Sequence, residues 1–303
     1  MAAWDAEQYL QFKSQRTQPA IDLANRIRAA NPHTVLDIGC GPGNSTQVLK
    51  TRFPHAHILG IDNSENMIAK AAATYPDLTF KLMSVDEVCH DDANYDVMFS
   101  NACLQWVPNH REVLPLLFGR LHANGVLAVQ IPINTQEPLF KIIKETVHEE
   151  AWGFPASLHE QNSALRGDEY FDILSSLTDN FDIWETVYYH TMPSIQAMVE
   201  WVKGTRLLPY TQALGKADAQ WLIDEITERA ATVYQKQANG AILFRFRRLF
   251  FTRSRWQPYR HLLCAHPPRW QPFEGPPHGN RCRLRCIQSP PDGLLPAPKH
   301  PGR

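Results

Sequence analysis

The segment Thr34 to Thr46, TVLDIGCGPGNST, constrains the fold more than any other part of the chain. It runs from a short apolar stretch into a loop with Gly39, Gly41 and Gly43, and then into residues that suit a helix. Glycine lacks a Cβ and adopts backbone angles that are closed to other residues, so a ligand can lie directly against such a loop. The order of strand, glycine-rich loop and helix predicts an α/β fold with a ligand at the loop.

A second apolar run, His57 to Ile61, ends in Asp62. A carboxylate at the tip of this second predicted strand can accept hydrogen bonds from both hydroxyl groups of a ribose. A dinucleotide fingerprint would need a third glycine at position 44, which is Asn44, so a dehydrogenase is disfavoured. Asp37 precedes the glycine turn and favours a cationic ligand over a pyrophosphate. The pattern therefore indicates a nucleoside cofactor with positive charge.

Short apolar runs recur along the first half of the chain, mostly separated by segments long enough for a helix. They lie at residues 34–38, 57–61, 78–83, 95–100 and 125–131. Alternating strands and helices predict a parallel sheet that is covered on both faces. Ser64 is expected to cap the helix after the second strand, and Asn124-Gly125 to turn the chain into the fifth strand.

Beyond Pro132 the pattern changes to amphipathic helices around one β-rich run. The helices are expected at residues 137–151, 194–207 and 216–237, and the β-rich run extends from Phe181 to Met192. This half predicts helical insertions together with the last strands of the sheet. Gly240 to Thr252 is expected to supply an edge hairpin partner.

The last 48 residues differ from the rest in composition. Residues 256–303 hold 11 of the 23 prolines and carry a net charge of +5, whereas the rest carries −6. Such a segment shows no period of a packed core, so we expect a disordered tail or a non-native one that arises from a reading-frame error. Its histidines and cysteines match no familiar metal-site spacing, and no metal is expected.

Charge and hydropathy also limit the partners. The acidic body argues against nucleic acid, which requires a basic face. No apolar run approaches the roughly 18 residues of a membrane span, and the N-terminus lacks the pattern of a signal peptide. We therefore expect a cytoplasmic protein with a small-molecule substrate, no membrane contact and no obligate protein partner.

Several segments outside the glycine loop carry a more specific resemblance. They are WDAEQYLQFKSQRTQPAIDL near the N-terminus, FSNACLQWVPNH (99–110), VLAVQIP (126–132), FDIWETVYYHTMPS (181–194), WVKGT (201–205), NGAIL (239–243) and RRLFFTR (247–253). Together with the glycine loop they resemble the trans-aconitate 2-methyltransferases, a family of class I S-adenosylmethionine-dependent methyltransferases. The resemblance covers roughly residues 3–255.

The resemblance implies a Rossmann-like α/β fold with a seven-stranded, mostly parallel sheet and helical insertions in a methyltransferase domain, residues 1–255. Within it we expect an N-terminal lid helix at about 5–30, a core at 31–132, and cap insertions with the last strands at 133–255. It also implies methyl transfer from S-adenosylmethionine to a carboxylate of trans-aconitate or a related small polycarboxylic acid, giving a monomethyl ester.

Carried over by position, the cofactor-binding residues are Asp37, Gly39, Gly41, Gly43 and Asp62. The superfamily usually has an acid after the third strand that contacts the adenine amino group, and this chain has Ser84 there. Either Ser84 or Asp86 serves this role, or the backbone alone reads the adenine. Asn101 follows the fourth strand, where ligands of open α/β sheets gather, and completes the predicted cofactor set.

A carboxylate has an unperturbed pKa of about 4, so its methylation needs no general base, and we expect residues that only position the substrate. Arginine forks and hydroxyl donors suit a multiply charged acid. The predicted substrate-binding residues are Tyr9, Arg16, Gln105, Trp106, Tyr188, Tyr189, Trp201 and Arg206. Because neighbours on a strand point to opposite faces, at most one of Tyr188 and Tyr189 is expected to reach the substrate.

Other functions stay open on the sequence alone. One is a different carboxyl methyltransferase, acting on a malonyl thioester or a natural product. Another is a catalytically inactive S-adenosylmethionine-binding protein, which Ser84 and the unusual C-terminus make conceivable. An inactive protein would bind S-adenosylmethionine without converting it to S-adenosylhomocysteine.

Overall fold

In the computed structural model, which describes residues 13–159 and 162–254, with side chains from residue 17 onward, strands and helices alternate from Thr34 to Pro132, and two or more helices separate the later strands. The strands are β1 Thr34–Ile38, β2 His57–Asp62, β3 Thr79–Leu82, β4 Tyr95–Asn101, β5 Leu121–Pro132, β6 Phe181–Met192 and β7 Ile242–Ser254. The α-helices are α1 Lys13–Arg26, α2 Asn44–Arg52, α3 Glu65–Thr74, α4 Val85–His90, α5 His110–Gly119, α6 Pro138–Val147, α7 Gly167–Leu177, α8 Ile195–Val202, α9 Leu208–Ala213 and α10 Lys216–Val233. The predictions for Tyr9, for the side chain of Arg16 and for residues 256–303 lie outside the described residues.

The seven strands form one sheet in the order β3-β2-β1-β4-β5-β7-β6. The first five pair in parallel, and β7 runs antiparallel to both of its neighbours. The predicted seven-stranded, mostly parallel sheet is confirmed. All parallel strands end at the same edge of the sheet, and the glycine loop after β1 lies at that edge.

The expected place of the last strand is wrong. The predicted strand at residues 240–252 does pair antiparallel with the β-rich run, but β7 lies between β5 and β6, and β6 forms the edge. An interior strand is covered on both faces, and most residues from Leu249 to Arg253 are indeed buried on successive positions. The apolar run LFF within this strand is therefore the sequence signature of an interior strand.

Asn124-Gly125 also lies differently from the expectation. The pair is inside β5, which begins at Leu121, and does not precede the strand. Asn124 adopts a left-handed φ of 65°, and the register between β4 and β5 shifts at this point. Asn124-Gly125 is therefore an irregularity within the strand, which asparagine and glycine tolerate better than other residues.

Buried side chains on β1 and β4 point to two different apolar clusters. Val35 and Phe99 pack with α1 residues such as Leu23 on one face, whereas Leu36 and Met98 belong to the cluster on the opposite face. Neighbouring residues of a strand point to opposite faces, so a sheet covered on both sides needs continuous apolar runs. This explains why the runs that marked these strands in the sequence do not alternate with polar residues.

The helices after β5 form a cap with an apolar cluster of its own. Leu139 of α6, Met198 of α8 and Leu222 of α10 pack together with Phe244 and Phe246 of β7. The three predicted amphipathic helices are thus present with shorter bounds, since the region 194–207 ends its α-helix at Val202 and continues as a π-helical turn, Lys203–Leu207. Among the described residues, no helix is both long and apolar enough to cross a membrane.

Candidate active site

Two of the three glycines in the loop after β1, Gly39 and Gly41, have different tasks. Gly39 has a φ of +70°, and a Cβ there would overlap the Cβ and Sγ of Cys103. Gly41 has a φ of +53°, and a Cβ there would meet no atom within 4 Å. Gly39 therefore lets the loop pack closely against the turn after β4, whereas Gly41 leaves bare backbone against which a ligand can lie.

Asp62 ends β2 and closes the loop from the other side. One carboxylate oxygen accepts a hydrogen bond from the Gly41 N–H at 3.0 Å, and the other accepts one from the Ser64 N–H at 2.9 Å. Burial raises the pKa of Asp62. The Asn63 N–H also donates to this carboxylate, and of its roughly four acceptor sites at least one stays open. The carboxylate is thus oriented beside the open backbone of Gly41, where it can accept the hydroxyls of a ribose.

Asp37 is fully buried beneath the same loop. Its Oδ2 accepts hydrogen bonds from the hydroxyls of Ser45 at 2.7 Å and Thr46 at 2.6 Å, which belong to the first turn of α2. Its Oδ1 has no partner among the described residues. Burial raises the pKa of Asp37 to about 6. Asp37 therefore fastens β1 to α2 and retains one acceptor.

Ser84 and Asp86, the two candidates for the adenine contact, lie at the first turn of α4. The Ser84 hydroxyl caps this helix through Glu87, whose carboxylate in turn accepts from the Ser84 N–H at 2.7 Å. This capping box is visible in the sequence as Ser-x-x-Glu. The Asp86 side chain is 86% exposed and lies 3.6 Å from His90. The structure thus gives Ser84 a structural task, and the adenine contact stays a prediction for both residues.

A cavity of about 120 Å³ opens beside the ends of β4 and β5 and the middle of β7, beneath the helical cap. It brings together five of the predicted site residues, namely Asn101, Gln105, Trp106, Trp201 and Arg206. Further lining residues are Ala102, Pro132, Asn134, Thr135, Phe140, Asn162, Val202, Thr205, Phe246 and Arg248. Two arginines and no aspartate or glutamate are among the described lining residues, so the cavity suits an anion.

The turn after β4 presents the acceptors of this cavity. Ala102 adopts a left-handed φ of 56°, and its carbonyl accepts a hydrogen bond from Gln105 Nε2 at 2.7 Å. This bond fixes the amide orientation of Gln105 and leaves its Oε1 buried without a partner among the described residues. Asn101 Oδ1 is likewise buried and has no hydrogen-bond partner among the described residues. The β4 side of the site thus offers carbonyl oxygens to a ligand with donors.

The β5 and cap side of the cavity presents donors. Asn134 Oδ1 accepts a hydrogen bond from the Arg247 N–H at 2.6 Å, so the amide orientation of Asn134 is fixed. Its Nδ2 is buried without a partner in the described part of the chain. The Arg206 Nε is also buried and has no hydrogen-bond partner among these residues. Burial lowers the pKa of Arg206, since the charged guanidinium loses contact with water.

Arg248 is a site residue that the sequence did not single out. It lies on β7, is 4% exposed and donates from Nη1 to Gln130 Oε1 at 2.9 Å. Its neighbour Arg247 points the other way and pairs with Glu185. The pair Arg247-Arg248 in the sequence shows only that the two side chains point to opposite faces of a strand, and which of them is buried depends on the place of β7 in the sheet.

Two predicted substrate-binding residues of β6, Tyr188 and Tyr189, lie outside the described lining of the cavity, as does their neighbour His190. Tyr188 donates its hydroxyl to Asp22 of α1 at 2.6 Å, and this contact fastens the N-terminal helix to the sheet. Tyr189 points to the opposite face, as expected, and is 60% exposed. His190 is buried against Trp201, and burial lowers its pKa to about 4. The structure brings neither tyrosine to the cavity, because their side chains are engaged or directed elsewhere.

The chain is similar in sequence to known methyltransferases. Residues 35–125 match the family model described as a methyltransferase domain. The trans-aconitate 2-methyltransferase of Rhodopseudomonas palustris (strain BisB18) is 40% identical over 252 residues, which cover 82% of this chain and 98% of the relative. The enzyme of that name from Enterobacter sp. (strain 638) is 40% identical over 255 residues, with coverage of 84% and 99%.

Among solved structures, the YcgJ protein of Bacillus subtilis superposes with a TM-score of 0.53, covering 81% of this chain and 100% of that one. The sequence identity is 14%, so this similarity speaks for the fold alone.

The sheet order, the glycine loop with Asp62 and the matched domain define a class I methyltransferase with S-adenosylmethionine as methyl donor. The residues fit this cofactor, since Gly41 leaves open space beside Asp62 and Asp37 Oδ1 is a buried acceptor without a partner among the described residues. Within the class, the chain belongs to the trans-aconitate 2-methyltransferase family.

Proposed function

We propose that this chain transfers a methyl group from S-adenosylmethionine to a carboxylate of trans-aconitate and so forms a monomethyl ester. The observation that carries the proposal is the cavity beside the cofactor residues, whose described lining includes Arg206 and Arg248 but no acid. The names of the relatives with 40% identity point to the same substrate.

The charges of the site are separated along the edge of the sheet. Asp37 and Asp62 lie at the ends of β1 and β2, whereas Arg206 and Arg248 lie beyond the ends of β4 and β5. A cationic cofactor is attracted to the first end and a polyanionic acid to the second. This arrangement favours a methyl acceptor with negative charge over an amine or a neutral alcohol.

Asp62 and the backbone of Gly41 would hold the ribose of the cofactor, and Asp37 and Asn101 would offer acceptors to its polar groups. When bound, S-adenosylmethionine supplies an electrophilic methyl group on a positively charged sulfur. The described residues provide no general base to the cavity, and a carboxylate with a pKa of about 4 needs none near neutral pH.

The chain therefore acts on the acid by binding and orientation. Arg206 and Arg248 neutralise the carboxylates, and Asn134 offers an amide N–H as a further donor. Trp106, Trp201 and Phe246 restrict the access of water to this cavity. Orientation of the attacking oxygen at roughly 3 Å from the methyl carbon can lower the barrier by on the order of 7 kcal/mol or more.

A turnover assay with several acids tests this proposal. We expect S-adenosylhomocysteine to form with trans-aconitate, and kcat/KM to be lower for cis-aconitate, isocitrate and a malonyl thioester. A higher kcat/KM for the malonyl thioester would assign the chain a different acceptor. Binding of S-adenosylmethionine without turnover of any acid would indicate an inactive cofactor-binding protein. The cytoplasmic location stays a prediction.

A further inference from the structure

The two arginines reach the cavity from different parts of the fold. Arg248 belongs to the sheet through β7, and Arg206 belongs to the cap through the π-helical turn Lys203–Leu207. Both line the same cavity. An acid with two suitably spaced carboxylates can therefore contact the sheet with one and the cap with the other.

Arg248 is held in one orientation. Its Nη1 donates to Gln130 Oε1, and its guanidinium lies 4.7 Å from the centre of the Phe246 ring. Gln130 lies on β5 opposite Asn101 of β4, so the bond draws the guanidinium toward the strand end that carries the cofactor acceptors. A planar guanidinium fixed in this way is prepared to bind a carboxylate through two parallel hydrogen bonds.

Arg206 lies on a turn that differs from the helices around it. The π-helical turn joins α8 to α9 and contains one further cation, Lys203. Lys203 pairs with Glu200 at 2.9 Å, whereas Arg206 forms no hydrogen bond or ion pair among the described residues. π-Helical turns occur frequently at functional sites. Lys203 is thus paired and lies outside the cavity lining, whereas Arg206 lines the cavity and pairs with no carboxylate among the described residues.

We propose that Arg248 on the sheet and Arg206 on the cap bind two different carboxylates of the same acid and thereby select polycarboxylates over monocarboxylates. Gln130 acts as a positioning residue, because it orients Arg248 without lining the cavity itself. This inference rests on the proposed function, since it names the parts of the site that recognise the acid.

A double-mutant cycle with trans-aconitate tests the two-point contact. Arg206→Met and Arg248→Met are each expected to raise KM for the acid by roughly 10- to 100-fold, the effect of losing a hydrogen bond to a charged group. The double variant should show about the product of both effects, because the two arginines contact different carboxylates. A double variant whose KM is no higher than that of the more impaired single variant would place both arginines on one carboxylate and overturn the proposal.

Monocarboxylate binding gives an independent readout. Crotonate is expected to inhibit wild type and Arg206→Met with the same inhibition constant, since it has no second carboxylate for the cap. Equal weakening of crotonate and trans-aconitate in Arg206→Met would overturn the assignment. Lys203→Met is the matched control on the same turn, and we expect its KM for trans-aconitate to be unchanged.

The positioning role of Gln130 is tested in two backgrounds. Gln130→Met should raise KM for trans-aconitate in the wild type but not further in the Arg248→Met variant, because it acts through that arginine. KM for S-adenosylmethionine should stay constant in both. If Arg248→Met fails to fold, Arg248→Lys is used as the background instead. Gln130→Met is then again expected to raise KM for trans-aconitate less than it does in the wild type. If Gln130→Met raised KM for trans-aconitate by the same factor in both backgrounds, Gln130 would not act by positioning Arg248.

These tests separate the inference from the proposed function. Absence of methyl transfer to any acid by the wild-type chain would refute the function itself. Methyl transfer to trans-aconitate that responds to Arg206→Met no more than to Lys203→Met would leave the function intact and refute the two-point contact.

Discussion

Asp37 and Asp62 show how two carboxylates near one loop take different tasks. Asp62 accepts backbone N–H groups on both oxygens at the open side of the loop, whereas Asp37 is fully buried and accepts the Ser45 and Thr46 hydroxyls. Both were predictable from the sequence, because their positions depend on a local succession of strand, glycine turn and helix. Arg248 was not, because its burial depends on the place of β7 between two strands that are distant in sequence.

Removal of the Asp62 carboxylate should weaken cofactor binding. Asp62→Ala is expected to cost about 1.5 to 3 kcal/mol in S-adenosylmethionine affinity, the usual contribution of a hydrogen bond to a charged group. Calorimetric titration of the protein with S-adenosylmethionine, in the absence of trans-aconitate, measures this affinity directly. Unchanged affinity in Asp62→Ala would remove this residue from the cofactor site.

Asp37 should make the cofactor-free protein less stable as the pH rises. Its pKa is about 6 in the folded chain against an ordinary value of 3.8, so the folded state binds the proton more tightly. The stabilisation is complete below pH 3.8 and is lost as the pH rises through about 6, and it amounts to roughly 3 kcal/mol. His190, with a pKa lowered to about 4, contributes a pH dependence of the opposite sign.

The Asp37 contribution is therefore measured against Asp37→Asn, in which His190 is unchanged. Denaturant unfolding of both proteins at pH 4 and pH 7 should show that wild type loses stability relative to the variant over this interval. The variant should also bind S-adenosylmethionine more weakly, because it lacks the negative charge. If the unfolding free energies of wild type and Asp37→Asn differed by the same amount at pH 4 and pH 7, this would contradict the burial of an ionisable Asp37.

At the scale of elements, the glycine loop combines close packing with open backbone. Gly39→Ala forces a Cβ onto Cys103 at a left-handed φ, whereas Gly41→Ala meets only the backbone strain. Left-handed strain costs roughly 1 to 2 kcal/mol per residue, and overpacking adds about 1 to 3 kcal/mol. Gly39→Ala should thus destabilise the fold more, and Gly41→Ala should chiefly weaken cofactor binding.

Gly153→Ala is the matched control for this pair. Gly153 has a φ of +60°, a Cβ there would meet no atom within 4 Å, and the residue lines neither the loop nor the cavity. The Gly153→Ala variant should lose as much unfolding free energy as Gly41→Ala and should keep full affinity for S-adenosylmethionine. If Gly41→Ala bound S-adenosylmethionine as tightly as Gly153→Ala, the open backbone at Gly41 would not be the cofactor surface.

The elements that the sequence predicted well are those with local signals. Strands β1 to β4 follow apolar runs between helices, and Ser64 caps α3 through the Met67 N–H as expected. The order of β6 and β7 and the π-helical turn Lys203–Leu207 depend on contacts between remote segments. Neither a period of 2 nor one of 3.6 residues records such contacts, so these features required the structure.

At the scale of the whole molecule, the parallel half of the sheet carries the predicted cofactor residues and the antiparallel half supports the proposed acid cavity. The cap packs on β7 through Phe244 and Phe246 and brings Arg206 toward Arg248, which lies on the same strand as these rings. The family resemblance implies a division into core and cap, whereas the shared cavity could not be derived from spacing. One sheet thus places the methyl donor site and the anion site side by side.

The most direct test of this account uses S-adenosylmethionine that carries an isotopic label in its methyl group, with the full chain and trans-aconitate. We predict that one label appears in the acid for each S-adenosylhomocysteine formed, as a monomethyl ester from which mild base releases labelled methanol. Formation of S-adenosylhomocysteine without label in the acid, or a label that withstands mild base, would contradict methyl transfer to a carboxylate.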